Sequence, residues 1–542
     1  MFHLRLRTVS TARPLPVVQI SNFHATPTRH FRCRSWSNYT VLAIETSCDD
    51  TSVAVIHVHD GAWSTWSRPA GSVLRTVETE HKRIGVDIIF HEKITANNDA
   101  YTGIHPLVAL ESHRANLAPL VRKAWNAARE REREEGVAPK YDSHVDYFPP
   151  NHVPRPEFVA VTRGPGMRSN IAVGLDTAKG LAAMWDVPLL AVHHMQAHAL
   201  TPRLMSAMAN MDYAQSSGSE SSGRSSLKRQ DQLRELEPAF PFLTVLVSGG
   251  HTMLVDSVGL TEHTILAETQ DIAVGDFLDK AARAIMPPAL LRPPYGGALE
   301  QFAFHTDIKD VRENADKGEI DEADVHNGTE FVRSGEPRYN YTPPARRQDE
   351  LQRRATAWDW SLAPPLAESK GGDKSSRRMV YSFAGLLTSI ERLMKRDQPF
   401  SIRERQDLAC EVQRVAFEHL ASRILLHLSS TSGWNGDTIV VSGGVASNKF
   451  LRHVLRSILS TRGYSHVKLS FPPIELCTDN ALMIAWAAVE MYEAGYSSGL
   501  EIGPIRRWSM DPKALDGGIL GGGGWVKEEE EEQKEEERRG VC

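Results

Sequence analysis

Cysteine is scarce, and acidic residues are missing from one whole terminus. Only five of the 542 residues are cysteine, and no Cys-x-x-Cys pair occurs. That argues against a disulfide scaffold or a structural zinc site and points to a reducing compartment. No run of about 18 apolar residues is present, so no transmembrane helix is indicated. Neither a GxxxxGK[ST] loop nor a GxGxxG turn appears, which disfavours the commonest nucleotide folds. A zincin needs HExxH, and here the residue after His194 is Met195. The first 44 residues contain no Asp or Glu but carry Arg5, Arg7, Arg13, Arg29, Arg32 and Arg34. An acid-free, Arg-rich start reads as an organelle transit peptide, most simply mitochondrial, over residues 1–36; an ordinary disordered N-terminus is the alternative.

What is present is a soluble globular composition, 41% hydrophobic and 24% charged. The length exceeds one ordinary core, so two lobes are expected. The formal charge is −6, but the run KEEEEEQKEEERR supplies much of the acid. The remaining body is near neutral, which neither suggests nor excludes a nucleic-acid partner.

Strand and helix patterns alternate along the chain. TVLAIETS and TSVAVIHV read as a hairpin with acids at its tip. HRANLAPLVRKAWNAARE (113–130) has helical periodicity, and FVAVTRG (158–164) reads as a buried strand turning at Gly164–Gly166 into a helix. QDLACEVQRVAFEHLASRILLHL (406–428) and DNALMIAWAAVEMYEAG are long helices. This alternation predicts α/β layers. The expected division is a first lobe over 37–237, with insertions near 131–156 and 206–236, and a second over 238–478, with an insertion near 305–376. A C-terminal helix over 479–515 returns to the first lobe, and 516–542 is a disordered Gly- and Glu-rich tail.

His194 and His198 lie four residues apart, so on a helix both imidazoles point the same way and can reach one metal ion. Taken alone, such a pair is more often just a capped or hydrogen-bonded pair. Two strands end in Ser-Gly-Gly, FLTVLVSGGHT and TIVVSGGVASN. Backbone N–H groups at such turns can meet a phosphate, although tight packing explains a lone example equally well. A metal beside a nucleotide phosphate suggests group transfer from a nucleotide-activated donor. Asp479 can cap the last helix, ligate the metal, or do both. Asn448 can cap its own helix, and Asp279 can pair with Lys280 or Arg283. Asp50 reads as a turn former. Cys48 and Cys477 flank the acids without a base beside them and read as packing residues.

The segments IETSCDD, HHMQAH, LVSGGHT, DFLDKAARA, VVSGGVASN and CTDNALMIAWA occur in an order that resembles the tRNA N6-adenosine threonylcarbamoyltransferases. The resemblance covers most of residues 40–510 outside the insertions. It implies an α/β fold of two ribonuclease-H-like lobes of the actin, sugar kinase and heat-shock chaperone type, with a cleft between them. The leader, and Leu246 where archaeal and cytosolic relatives have Tyr, point to the mitochondrial, bacterial-like branch, similar to a homodimer. The family's activity is transfer of threonylcarbamoyl from threonylcarbamoyl-AMP to adenosine 37 of tRNAs reading codons that begin with A. Carried over by position, His194, His198 and Asp479 hold one divalent metal ion per subunit, iron or zinc. Asp49 faces the metal and phosphate. Leu246, Val247, Ser248, Gly249 and Gly250 cradle the substrate, and Asp279, Gly297 and Asn448 hold the ribose and base side.

Three places depart from the family pattern. Pro294-Tyr295 stands where Tyr-Pro is usual, Leu387 replaces a lysine, and Ser509-Met510 replaces Pro-Leu. The runner-up reading is an actin-like ATPase or small-molecule kinase, which needs no His-His-Asp site. A non-catalytic scaffold would lack the metal ligands. Fold alone does not separate these; the metal triad does.

Overall fold

The computed structural model describes residues 38–60, 84–98, 100–101, 103–134, 155–216, 234–304, 332–333, 336–337, 339–344, 347–367, 376–430 and 434–527. The leader over 1–36 and the acidic run of the tail lie outside them.

β1 (Tyr39–Glu45) and β2 (Asp50–Asp60) form the expected hairpin, pairing Glu45 with Ser52. β3 (Ile84–Thr95) adds antiparallel to β2. β4 (Phe158–Gly164) and β5 (Leu189–His193) then add parallel to β1. Parallel strands need a crossover, supplied here by α2 (Arg168–Trp185). The second sheet repeats the plan. β6 (Phe242–Val247), β7 (Thr252–Ser257) and β8 (His263–Glu268) are antiparallel, while β11 (Thr438–Ser442) and β12 (Lys468–Ser470) add parallel to β6. The orders β3-β2-β1-β4-β5 and β8-β7-β6-β11-β12 are therefore one topology used twice. This is a pair of ribonuclease-H-like lobes of the actin-like type. A two-residue pairing, β9 (Val332–Arg333) with β10 (Glu336–Pro337), stands apart from both sheets.

Both faces of the first sheet are covered. Val41 and Ala43 face one core, Leu42 and Ile44 the other, as alternation along a strand requires. α1 (Pro106–Glu134) and α2 pack on one face; α3 (His194–Ser216) and α9 (Ala481–Glu493) cover the other. Every residue of α9 from Ala481 to Tyr492 is buried, which is why its apolar character runs all round. The same core takes in Phe242 and Val440 of the second sheet, so α3 and α9 stand where the lobes meet. The second sheet is covered by α4 (Val274–Ile285), α5 (Tyr295–Phe304), α6 (Ala384–Leu393), α7 (Ile402–Ser430) and α8 (Lys449–Thr461). Among the described residues no helix is long and apolar enough to cross a membrane.

Two expected insertions and the expected tail hold more structure than the sequence suggested. α3 runs on to Ser216, with Ala207 buried and the amide of buried Asn210 donating to Ile84 O and Arg234 O at 2.9 Å each. The stretch expected as an insertion at 206–236 is therefore helical as far as Ser216, with burial kept to Asn210. Within 305–376, Tyr339, Trp360 and Leu362 lie in the second-lobe core. Their wide spacing gives no period to read. The tail expected from 516 is ordered to Lys527. Ile519 is buried, and β14 (Trp525–Lys527) pairs with β13 (Tyr496–Ser498) at the edge of the first sheet. Glycine-rich composition hides this, since backbone carbonyls hold the segment together with only the widely spaced Ile519 and Trp525 side chains. α1 also extends well beyond 113–130 at both ends.

Candidate active site

Glu45 ends β1 with its side chain fully buried. One carboxylate oxygen accepts the Ser47 N–H at 2.5 Å, and the other accepts the Thr162 hydroxyl. At the end of β5, His193 closes the strand and starts α3. Its Nδ1 accepts the N–H groups of Met195 and Gln196 at 3.2 and 3.4 Å, and its Nε2 donates to Trp508 O at 3.0 Å. His193 is thus the helix cap, the job usually done by Ser or Asp. Burial holds it neutral, down to about 3. The next residue, His194, presents Nδ1 to Glu45 Oε2 at 3.3 Å and to Ser47 Oγ at 3.2 Å.

His194 and His198 sit one turn apart, ring centroids 4.8 Å apart and planes at 89°. Asp479 Oδ1 lies 3.4 Å from His194 Nε2 and 3.1 Å from His198 Nε2. One ligand atom from each of the three lies within 4.8 Å of the others. Asp479 is free for this because Asn480, not Asp479, caps α9 by accepting Met483 N–H at 3.0 Å. Burial disfavours charge on His194, but the facing Asp479 and Glu45 carboxylates outweigh it and push His194 up to about 10. Burial likewise opposes ionised Asp479, yet the two imidazoles hold its carboxyl well below the usual range. The cluster therefore favours a cation among its nitrogens. Two imidazoles and a carboxylate at this spacing are a donor set that fits a divalent ion. His198 Nδ1 is buried with no hydrogen-bond partner among the described residues, so the two rings are held unequally.

Asp49, on the loop between β1 and β2, accepts from Asn98 Nδ2 at 3.2 Å. Burial raises its proton affinity, and so does the charge of Asp479. Asp50 is more than the turn former expected. It is the first residue of β2, buried, and accepts from Lys93 Nζ at 3.2 Å and from the Thr95 hydroxyl. Burial raises it to about 6. Lys93 also donates to Thr478 Oγ1 at 2.7 Å, tying the hairpin to the loop before Asp479. Burial raises the thiols of Cys48 and Cys477, the latter to about 11, so neither is a ready nucleophile.

The first Ser-Gly-Gly turn faces this cluster from the second lobe. His251, directly after it, is lowered to about 4 by burial and then by the charges of His194 and His198. Ser248 N–H is already bonded to His251 O at 2.9 Å, and Ser248 Oγ accepts His251 N–H. Of the three amides, only those of Gly249 and Gly250, which have no acceptor among the described residues, are therefore open to an anion. A Cβ on either glycine would meet nothing within 4 Å. Leu246 and Val247 bury their side chains, so only their backbone is on offer. Leu246 packs with Met195, Ala199 and Met510, which accounts for methionine at 510. Gly275 lets α4 approach, since a Cβ there would stand 2.6 Å from Ser248 O. Asp279, one turn along the same helix face, accepts Gly296 N–H at 2.9 Å rather than pairing with Lys280, which bonds Asp276. Gly297 follows on α5. In the second turn Gly443 has φ +98, and a Cβ would lie 2.5 Å from Val247 O. Asn448 accepts Leu451 N–H at 2.8 Å as the cap of α8 and donates to Gln413 Oε1 at 3.0 Å. Leu387 packs against the second-lobe core.

Histidines, acids and the first glycine turn thus come together at the carboxyl ends of β1, β5 and β6, where open α/β sheets bind ligands. Glu45, Ser47, Lys93, His193 and His251 were not singled out from the sequence. Only His251 had a local signal, its place after the glycine turn.

Residues 154–211, 227–327 and 340–486 match the profile of the family TsaD: tRNA N6-adenosine threonylcarbamoyltransferase. The chain is 31% identical over 494 residues to the mitochondrial tRNA N6-adenosine threonylcarbamoyltransferase of Schizosaccharomyces pombe, spanning 89% of this chain and 91% of that protein. It is 27% identical over 478 residues to the tRNA N6-adenosine threonylcarbamoyltransferase of Brucella ovis, spanning 88% and 96%. These matches set aside the ATPase and kinase readings of the same fold. The chain belongs to the tRNA N6-adenosine threonylcarbamoyltransferase family and is a transferase that modifies tRNA.

Proposed function

We propose that this protein transfers threonylcarbamoyl from threonylcarbamoyl-AMP to N6 of adenosine 37 in mitochondrial tRNAs that read codons starting with A. The observation that carries the reading is the His194–His198–Asp479 cluster facing a glycine turn with free amides. The S. pombe relative's name and the acid-free leader support the mitochondrion. The working unit is a homodimer.

His194, His198 and Asp479 would hold a divalent ion, iron or zinc, which would supply positive charge to offset that of the leaving phosphate. The chain's own groups do the rest. The Gly249 and Gly250 amides point donors at the same phosphate. Asp279 and Gly297 border the ribose and base. Asn448 serves there through its helix and any remaining amide valence, since both ends of its side chain already have partners. Glu45 and Ser47 hold His194 in place. N6 of adenosine attacks the carbamoyl carbon, the bond from that carbon to the phosphate oxygen breaks, and AMP leaves with the electron pair. Asp49, whose burial raises its proton affinity, takes the proton from N6. The amine is a weak nucleophile, so positioning must supply much of the rate.

The test is incubation of the metal-loaded protein with threonylcarbamoyl-AMP and unmodified mitochondrial tRNA transcripts, followed by nucleoside analysis. Modified adenosine and AMP should form in equal amounts, only with tRNAs reading codons that start with A. AMP release without modified nucleoside would overturn the transfer.

A further inference from the structure

Two arginines on the C-terminal strap, residues 499–516, have no side-chain partner among the described residues. They are Arg506 and Arg507, both exposed. Their backbone is held firmly. Ile505 N–H donates to Arg163 O at 2.8 Å and Gly166 N–H to Arg506 O at 3.2 Å. On the other side His193 Nε2 donates to Trp508 O at 3.0 Å. Arg168, also exposed and without a side-chain partner among the described residues, opens α2 two residues after Gly166. Beside it Met167 N–H donates to Ser47 O at 2.9 Å. Three cations therefore stand on two segments bonded to each other. One segment is bonded to the loop that carries Asp49, the other to the residue before His194.

No carboxylate among the described residues forms an ion pair with them. Asp511 accepts the Ile265 and Lys513 amides, and Asp516 accepts the Ser509 and Gly518 amides. The more obvious basic run, 392–405, is a weaker candidate. Arg396 pairs with Asp359 and Glu404, and Arg405 donates to Ile285 O. That run also lies on the second lobe, with no bond to the turns of the site.

We propose that Arg168, Arg506 and Arg507 form the rim that grips tRNA phosphates while the target adenosine enters the cleft. The proposal rests on the transfer reading above. An adenosine reaching Asp49 brings its flanking phosphates past this rim. Cations on anchored backbone neutralise those phosphates without losing much freedom, and they fix the register of the RNA without reading its sequence.

The test uses the full metal-loaded chain and an unmodified tRNA transcript, with the Kd measured by fluorescence anisotropy over a range of salt. Compared are the triple variant Arg168→Gln, Arg506→Gln, Arg507→Gln and the triple Arg392→Gln, Lys395→Gln, Arg403→Gln. The rim variant should raise Kd by about 30-fold or more and lower the slope of log Kd against log salt by about two to three. The second-lobe variant should stay within about threefold. Arg506→Gln alone should show one step of the same effect, and equal thermal unfolding midpoints exclude a folding defect. The tRNA KM for modification should rise with kcat nearly constant. A rim variant that keeps wild-type Kd and salt slope overturns the proposal. So does one that changes only the sedimentation of the protein, which would make the patch a subunit contact. If wild-type protein modifies no tRNA, the transfer reading fails separately, and the binding comparison still decides the rim.

Discussion

Glu45 Oε2 lies 3.3 Å from His194 Nδ1, and the carboxylate that makes this contact is fully buried. A carboxylate behind a ligating imidazole fixes which nitrogen faces the metal and makes it a better donor. His198 has no such support, because its Nδ1 has no partner among the described residues. We propose that the two histidines would have unequal shares in holding a metal.

Glu45→Gln should weaken metal affinity about 10- to 100-fold, the range for lost partners behind a ligand. Competition with a chromophoric chelator measures it. Wild-type affinity in the variant would show that Glu45 serves the hairpin alone.

His198→Ala should remove the metal and lower transfer at least about 100-fold, while unfolding stays cooperative. Each lobe keeps its own apolar core, so the stability change should stay within about 2 kcal/mol. Metal content and modified-adenosine yield are the measurements. Full metal with full activity would reject the ligand assignment. Asp50→Ala should retain the metal but lose stability, because Lys93 and Thr95 lose their acceptor.

A pH dependence follows from His263, which is buried and lowered from 6.5 to about 4, chiefly by burial. Its ring bonds Ser257 Oγ and Leu260 O. The unfolded chain binds the proton more readily, so this contribution to stability is complete above pH 6.5 and is lost as pH falls towards 4. The loss is about 3 kcal/mol at the acid end. Denaturant unfolding at several pH values should show that slope in wild type and a shallower one in His263→Gln. Parallel profiles would show that the His263 ring binds its proton equally well in the folded and unfolded chain, against the lowered proton affinity argued here.

Ending the chain at Asp516 should destabilise it by at least about 3 kcal/mol. Buried Arg163 donates to Gly503 O, Gly522 O and Gly523 O, and Trp508 Nε1 donates to Gly518 O. Truncation strands the guanidinium and exposes the strap that holds His193. A thermal midpoint equal to that of the full chain would mean the segment after Asp516 contributes nothing.

Local pattern determined a good deal here. Alternation in TVLAIETS and TSVAVIHV is a strand signal with period two, and the hairpin forms as read. The spacing of His194 and His198 needs only helix geometry to place both rings on one side, and the apolar α9 announces burial by composition. Each of these rests on residues a few positions apart, whose relation the backbone period dictates. What only the tertiary structure decided involves residues hundreds of positions apart. Glu45 meets His194 because β1, β4 and β5 are parallel neighbours, so their carboxyl ends share one edge. Lys93 reaches Thr478 because α9 returns to the first sheet. His193 caps its helix with a side chain whose other nitrogen is tied to Trp508. The glycine-rich segment to Lys527 is ordered because its carbonyls satisfy buried Arg163, and carbonyls leave no trace in a sequence. Periodicity reports which face of an element is apolar; it does not report which element that face will meet.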